Sequence, residues 1–375
     1  MKGLWKYVAL VLVLLVALVP AGCAKASEAV KVGLLFPMTG PVPTYGQSSK
    51  EGAELALNEW NAKGGLLGKQ IAWVLGDGGC DGVTATDAAN KLIDQDKVKF
   101  IVGEVCSSAS IPVSEIANPK KVIQISPTST NPKVTIGKPY IFRACFLDPF
   151  QGDVMATFAK TDLNASTAAV LYDKGNDYVL GLAGYFKDAF EKKGGKVLVY
   201  EAYTAEDTDF SAILSKVADA KPDVLFLPDY YNKVNLIGKQ AKEKGITAIM
   251  LGGDGWDSAD LDLTAVDGGY HSNHYSPADR RPIVQDFLQT YTAKYGKAPD
   301  ALAVLAYDAT NILMQAIKNA GTTDTTKVRD TMQAIKIETV SGTITFAKES
   351  GDPIKSAAIN HVTGGKIEFV KFVAP

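Results

Sequence analysis

Residues 32–75 read VGLLFPMTGPVPTYGQSSKEGAELALNEWNAKGGLLGKQIAWVL, and this stretch decides the fold class. An apolar run of strand length, Val32–Phe36, opens it, and Gln47–Ala62 then carries apolar residues at helical spacing. A glycine pair ends the predicted helix before a second apolar run, Ile71–Leu75. A strand, a long helix and a second strand in this order predict a βαβ unit with two parallel strands.

The same alternation of strand and helix extends along most of the chain. Repeated units of this kind predict parallel sheets covered by helices on both faces. The further predicted strands are Phe100–Val102, Val122–Ile125, Ala168–Tyr172, Val197–Tyr200, Val224–Leu227, Ile249–Leu251 and a terminal hairpin of Ala357–Val362 and Ile367–Val373. The further predicted helices are Val83–Asp96, Ile111–Asn118, Tyr178–Lys192, Ser211–Ala220, Lys233–Lys244, Ile283–Tyr295 and Ala301–Ala320.

Three proline-containing junctions divide this pattern, at residues 148–149, 276–277 and 352–353. A chain of 375 residues is long enough for two domains. We interpret the junctions as three crossings between two lobes, which together form a hinge. The prediction is therefore an α/β protein of two doubly wound, Rossmann-like lobes, with a ligand site in the cleft outside the carboxyl ends of the strands. Lobe 1 comprises residues 28–148 plus 278–352, and lobe 2 comprises residues 149–277 plus 353–375.

The composition argues against several classes of function. The formal net charge is −2, with acids and lysines mixed along the chain, so we expect no basic surface for nucleic acid. The hydrophobic fraction of 46% and the charged fraction of 21% are typical of a globular protein. The chain has three histidines and neither a Gly-x-Ser-x-Gly nor a Walker motif, which gives no catalytic constellation. We therefore expect neither an enzyme nor a bound cofactor.

The first 26 residues have the pattern of a secretory signal peptide. A basic start precedes the apolar run Tyr7–Val19, which is too short to span a bilayer. Cleavage after residues 24–26 (Ala-Lys-Ala) would leave a soluble protein, whereas the lipobox-like residues 21–23 would leave a lipid anchor on Cys23. Pro20 stands where a lipobox usually has Leu or Val, so we favour the soluble product. Both routes predict a periplasmic protein.

Three cysteines remain after cleavage, and an exported protein can form disulfides. Cys80 and Cys106 each lie just past a predicted strand, where neighbouring parallel strands could end side by side. We therefore predict a Cys80–Cys106 bridge and interpret Cys145 as a buried free thiol.

The other groups of polar residues do not predict a metal-binding site. His271 and His274 are three positions apart on or just after a predicted strand, where such residues face opposite ways, so we expect a cleft-edge or solvated role. Residues 77–81 lack the alternating acids and closing glutamate of a calcium loop. Glu349 and Asp352 look like surface-loop charges.

An ordered set of motifs resembles the leucine/isoleucine/valine-binding proteins, which are type I periplasmic binding proteins of ABC importers. The motifs are Val32–Pro41, Tyr45-Gly46, Asn61–Gly65, Asp77–Asp81, Cys106–Ser108, Ile125–Pro132, Phe142-Arg143, Tyr172–Lys174, Gly253–Asp257 and Leu305–Asp308. The resemblance implies a monomer that captures an amino acid in its cleft and delivers it to transporter permease subunits. It also implies a disulfide at the positions of Cys80 and Cys106, in agreement with the strand argument.

A zwitterionic amino acid shut away from water needs partners at both ends, because an unpaired buried charge is costly. For the ligand carboxylate, the resemblance implies the hydroxyl of Ser107. It further implies ligand contacts by the carbonyl of Thr128 and by the hydroxyl and N–H of Thr130. For the ammonium it implies Asp254, in a glycine-rich turn after a strand. From the residues alone, Ser107 could instead cap a helix and Asp254 could make an Asx turn.

Aromatic residues complete the predicted site. The resemblance places Tyr178 and Tyr230 over the bound ligand and Tyr45 beside its side chain. Further candidates for side-chain selection are Val105, Trp256 and Tyr275.

The alternative function is a ligand-sensing module for an amide, urea or amino acid, because one fold can serve both purposes. Permease and ATPase genes beside this one would favour transport.

Overall fold

The computed structural model describes residues 29–375, which form fourteen β-strands and ten α-helices. The strands are β1 (Val30–Phe36), β2 (Ile71–Asp77), β3 (Phe100–Gly103), β4 (Ile123–Ser126), β5 (Ile141–Arg143), β6 (Thr167–Asp173), β7 (Lys196–Tyr203), β8 (Val224–Leu227), β9 (Ile249–Gly252), β10 (Tyr270–Asn273), β11 (Lys336–Thr339), β12 (Gly342–Thr345), β13 (Ala357–Thr363) and β14 (Lys366–Val373). The helices are α1 (Pro43–Ala62), α2 (Gly82–Asn90), α3 (Ser107–Ala117), α4 (Asp148–Thr161), α5 (Asp177–Lys192), α6 (Ser211–Ala220), α7 (Tyr231–Glu243), α8 (Pro282–Tyr295), α9 (Ala301–Ala320) and α10 (Thr325–Gln333).

The first lobe is built on a five-stranded parallel sheet in the order β2-β1-β3-β4-β5. Strands β3 and β4 are buried at every residue. The apolar run of β3 is typical of a strand that is covered on both faces, whereas β4 buries the polar side chains of Gln124 and Ser126. Helix α9 packs against α1 and against β3 and β4, so the C-terminal third of the chain returns to this lobe.

The second lobe is built on a seven-stranded sheet in the order β14-β13-β10-β9-β8-β6-β7. Its strands from β10 to β7 are parallel, and the C-terminal hairpin of β13 and β14 adds to β10 in antiparallel fashion. The predicted α/β class with two parallel-sheet lobes is confirmed. The chain passes from one lobe to the other three times: between β5 and α4, after β10, and between β12 and β13.

Several elements have no counterpart in the sequence predictions. Strand β5 has three residues, and strands β11 and β12, which form a hairpin, have four each. Such strands are too short for an alternation of apolar and polar residues to be recognised. Helix α4 begins at the Asp148-Pro149 junction, where proline suits the first turn of a helix as well as a linker. Helix α2 continues as one π-helical turn, Lys91–Gln95, within the single helix predicted over 83–96.

The predicted disulfide joins Cys80 and Cys106, and Cys145 is a buried free thiol. Cys80 follows β2 and Cys106 follows β3, and these strands lie on either side of β1. Cys106 is also the residue before the first turn of α3, so the bridge holds the N-terminus of α3 to the loop after β2.

Replacing both Cys80 and Cys106 with serine should lower the free energy of unfolding by about 3.5 kcal/mol, because the 26-residue separation sets the entropy that the bridge removes from the unfolded chain. Urea denaturation of the variant and of the oxidised wild type measures the difference. The reduced wild type is the control and should match the variant. A difference below about 1 kcal/mol would show that the bridge contributes little to stability.

The predicted signal peptide and both cleavage alternatives lie outside the described residues. Among residues 29–375, no helix is both long enough and apolar enough to cross a membrane.

Candidate functional site

A small cavity lies between the two lobes, at the carboxyl ends of strands from both sheets. Its volume is about 20 Å³. This is the position at which open α/β sheets bind ligands. The lining residues are Tyr45, Val105, Ser107, Thr128, Tyr178, Tyr230, Asp254, Gly255 and Leu302.

All the predicted ligand-binding residues except Thr130 line this cavity. Thr130 is fully buried behind the lining, and its carbonyl accepts a hydrogen bond from the Asp148 N–H at 3.0 Å. Of the further candidates, Val105 lines the cavity whereas Trp256 and Tyr275 do not. Both of these carry structural hydrogen bonds: the Trp256 indole donates to the carbonyl of residue 227 at 2.9 Å, and the Tyr275 hydroxyl donates to that of residue 299.

Asp254 supplies the negative end of the cavity. It begins a short 3₁₀ turn, Asp254–Trp256, directly after β9, and its side chain is only 10% exposed. Its Oδ1 accepts hydrogen bonds from Gln151 Nε2 at 2.6 Å and from the Tyr178 hydroxyl at 2.9 Å. Its Oδ2 lies 2.9 Å from His274 Nε2. Three neighbours therefore hold the carboxylate in place.

His271 and His274 are both buried, so the solvated role expected for them is wrong. His274 lies next to Asp254. Its ring stacks on Phe146 with centroids 3.8 Å apart. Burial lowers the pKa of His274, although the nearby Asp254 opposes the shift. The imidazole is therefore neutral at neutral pH, with its proton on the Nε2 that faces the carboxylate. A neutral His274 therefore places no positive charge against the Asp254 carboxylate.

Hydrogen-bond donors lie on the first-lobe side of the cavity. Ser107 is the first residue of α3, where backbone N–H groups have no partners within the helix. The Ser107 Oγ accepts a hydrogen bond from the Asn131 N–H at 3.3 Å, which leaves the Ser107 hydroxyl proton free to donate. The Thr128 hydroxyl instead donates to the Val105 carbonyl at 2.9 Å, so Thr128 offers its backbone carbonyl to a ligand.

A second buried carboxyl group lies behind these donors but adds no charge near neutral pH. Glu104 Oε2 accepts hydrogen bonds from the N–H groups of Val105 and Cys106 at 2.6 and 2.7 Å. Burial nevertheless raises the pKa of Glu104 to about 8. Asp254 is the acid among the residues that line the cavity.

Three tyrosines line the cavity. The rings of Tyr178 and Tyr230 stack with centroids 5.3 Å apart and planes 2° apart, and Tyr45 meets Tyr230 edge-on at 5.5 Å. Burial raises the pKa of all three hydroxyl groups, which therefore remain protonated donors. Such rings can cover an apolar stem and still bond a polar head.

Three residues of the site have no signal in the sequence pattern. Leu302, in the first turn of α9, lines the cavity together with Val105. It stands in the wholly apolar run of residues 301–306, where nothing marks one leucine as facing the cleft. Gln151 and His274 reach Asp254 from 103 and 20 positions away.

The lobes touch directly across the cleft. The Tyr45 hydroxyl donates to the Gly255 carbonyl. At the start of α5, the Asp177 N–H donates to Ser108 Oγ at 2.9 Å, and the Asn131 amide donates to the Asp177 carbonyl at 2.7 Å. These contacts close the cavity, with an acid on the second lobe and donors on the first.

The sequence matches the family model described as "Periplasmic binding protein" over residues 29–366. It is 34% identical over 336 residues to the leucine-, isoleucine-, valine-, threonine-, and alanine-binding protein of Pseudomonas aeruginosa, an alignment that covers 88% of this chain and 89% of that protein.

Two solved structures are similar in fold and sequence. The leucine binding protein LivK of Thermotoga maritima superposes with a TM-score of 0.89 at 37% identity, over 92% of this chain and 99% of that one. The branched-chain amino acid transporter substrate binding protein LivJ of Streptococcus pneumoniae, in complex with isoleucine, superposes with a TM-score of 0.87 at 30% identity, over 93% of this chain and 100% of that one.

Proposed function

The chain belongs to the periplasmic binding protein family, and from that premise we propose that it captures a branched-chain or related α-amino acid between its lobes for an ABC importer. The observation that carries this proposal is the opposition of Asp254 and Ser107 across one small closed cavity. An α-amino acid bears an ammonium and a carboxylate a few ångströms apart, and both need partners once water is excluded.

The donors and acceptors around the cavity support this choice of ligand. Asp254 is held by neutral neighbours, so its charge is available to the ammonium, with the Thr128 carbonyl as a second acceptor. The free hydroxyl proton of Ser107 and the N-terminus of α3 suit the carboxylate. Val105, Leu302 and the ring of Tyr45 offer apolar surface to a side chain.

We further propose that the lobes move about the three crossings when the ligand binds. For the two lobes we keep the boundaries predicted from the sequence, 28–148 plus 278–352 for lobe 1 and 149–277 plus 353–375 for lobe 2. The contacts made by Asp177 and Gly255 across the cleft belong to the closed arrangement, because they join residues of different lobes. The ligand would enter when these contacts open and would stabilise them when they reform.

Binding and closure are tested together on the mature protein. Titration calorimetry at pH 7 with leucine, isoleucine, valine, threonine and alanine should give a dissociation constant of about 1 μM or below for at least one of them, which corresponds to about −8 kcal/mol. Small-angle scattering should show a smaller radius of gyration once that ligand is saturating.

Acetamide and urea are the contrasting ligands, since they lack the two charges. Heat from these amides and none from the amino acids would reject the proposal in favour of the sensing module. Binding of an amino acid without any change in scattering would reject the hinge motion and leave the capture proposal standing.

The family implies a location outside the cytoplasm, and we propose that the permease subunits of an ABC transporter receive the ligand. We also propose a monomer released by cleavage after residue 26, with the anchored form on Cys23 as the alternative. Mass spectrometry of the exported protein distinguishes the two by the lipid mass.

A further inference from the structure

A buried carboxyl group without partners lies next to the proposed site. Asp148, the first residue of α4, is fully buried, and neither of its oxygens makes a well-aligned hydrogen bond to any part of residues 29–375. The buried hydroxyl of Thr130 also has no well-aligned hydrogen-bond partner among these residues. The two residues are neighbours, because the Asp148 N–H donates to the Thr130 carbonyl at 3.0 Å. Buried polar groups nearly always have partners, so this pair needs an explanation.

Within the described part of the chain, residues 29–375, no free cation is available to an ionised Asp148. The guanidinium of Arg143 is the nearby positive group, but it already bonds the Asp352 carboxylate and the carbonyls of Ser129 and Asn131. Asp254 is a nearby negative group and would repel a second carboxylate. The titratable groups that face Asp148 are Asp254, Arg143, Cys145, Tyr178 and Tyr185.

The helix N-terminus does not compensate for the missing cation. The first turn of a helix normally favours an acid through its free N–H groups. In α4 the second residue is Pro149, which has no N–H, and the N–H of Asp148 itself is used by Thr130. An ionised side chain here would therefore be buried with the Thr130 hydroxyl as its neighbouring donor but without a free counter-charge.

We propose that Asp148 is a neutral carboxylic acid at neutral pH and acts as a positioning residue: its O–H donates to the Thr130 hydroxyl and fixes the loop of residues 128–131. This inference rests on the proposed function, because that loop carries the Thr128 that lines the cavity and the Asn131 whose N–H sets the Ser107 hydroxyl. Asp148 thereby acts on the ligand through other residues and does not touch it.

The acidity of the group agrees with this role. Burial raises the pKa of Asp148 to about 8, Thr130 and Arg143 oppose the rise, and Asp254 adds to it. The neutral acid therefore predominates below about pH 8 and is lost as the pH rises through that value. The ionised form would place a negative charge beside the end of the cavity that takes the ligand carboxylate.

The test is the affinity for leucine between pH 7 and pH 9, measured by calorimetry on the full mature protein. If only the neutral form holds the loop, the wild-type dissociation constant should rise about tenfold over this range. Asp148→Asn keeps a neutral side chain with an N–H donor, so it should stay within about threefold of its own pH 7 value at pH 9. Asp148→Ala should bind weakly at both pH values.

The control is Asp153→Asn on the same helix, whose side chain is 55% exposed and pairs with Lys193. It should keep the full wild-type pH dependence. Glu104, Lys355 and the ligand ammonium also titrate in or near this range, but they are common to all the variants, so the comparison isolates Asp148.

A pH dependence in Asp148→Asn equal to that of the wild type would overturn the inference. Thr130→Val is the second variant, should the first fail to fold. It removes the hydroxyl partner and should weaken leucine binding at least tenfold at pH 7; wild-type affinity and pH dependence in this variant would also overturn the inference. A wild type that binds no amino acid at all would instead reject the proposed function, and infrared difference spectra of wild type against Asp148→Asn would then still report whether Asp148 is protonated at pH 7.

Discussion

Replacing Asp254 with alanine should abolish amino-acid binding while the protein remains folded. The ligand ammonium would be buried opposite no counter-charge, and removing one partner of a buried charge pair costs about 3–5 kcal/mol. This loss corresponds to more than a hundredfold in the dissociation constant. Calorimetry with leucine at pH 7 measures it.

Two comparisons make this experiment specific to charge. Asp254→Asn keeps the shape of the side chain and removes the charge, so it should lose most of the same affinity. A deaminated analogue, 4-methylpentanoate, should bind the wild type weakly but should lose little more in Asp254→Ala, because the two deletions remove one shared interaction. The control is Asp219→Asn, an exposed acid on α6 of the same lobe.

Near-wild-type affinity in Asp254→Ala would reject the ammonium role. Equal additional losses for leucine and its deaminated analogue would assign the effect to packing, because the pair of deletions would then show no coupling.

Replacing Arg143 with methionine should destabilise the protein by about 3 kcal/mol and weaken ligand binding. Arg143 is fully buried, and its guanidinium donates to Asp352 Oδ1 at 2.7 Å, to the Ser129 carbonyl and to the Asn131 carbonyl at 3.0 Å. It thereby ties the loop that carries Thr128 to the third crossing between the lobes. Methionine fills much of the volume but leaves these acceptors unsatisfied.

Urea denaturation measures the stability of this variant, and calorimetry its affinity. Arg143→Lys should fall between methionine and wild type, because a single ammonium cannot span the same acceptors. Arg280→Met replaces an exposed arginine and is the matched control. A loss of stability below about 1 kcal/mol in Arg143→Met would show that the buried network does not hold the loop.

The sequence predicts the fold because the spacing of apolar residues in each strand and helix reflects which of its faces are buried. The apolar run of β3 and the amphipathic helices between strands follow from which faces are covered, and the carboxyl ends of parallel strands share one edge. For this reason polar residues just after predicted strands, such as Ser107, Thr128 and Asp254, were found close together around one cavity. Thr130 shows the limit of this reasoning, since it lies two residues after Thr128 in the same loop and does not line the cavity.

Contacts between residues far apart in the chain could not be predicted from this spacing. Asp352 looked like a surface-loop charge, yet it accepts a hydrogen bond from Arg143, 209 positions away. His274 looked solvated or peripheral, yet it is stacked on Phe146 and faces Asp254. In both cases the partner comes from a distant part of the chain.

The sequence by itself therefore determined the class of fold, the bridge between Cys80 and Cys106, and the loops from which a site would be built, because each depends on periodicity or on the end of a strand. The tertiary structure alone decided which neighbours hold Asp254, which apolar residue of α9 faces the cleft, and which buried acids lack a partner. Those features depend on distances between segments far apart in the chain, and the three crossings between the lobes set those distances.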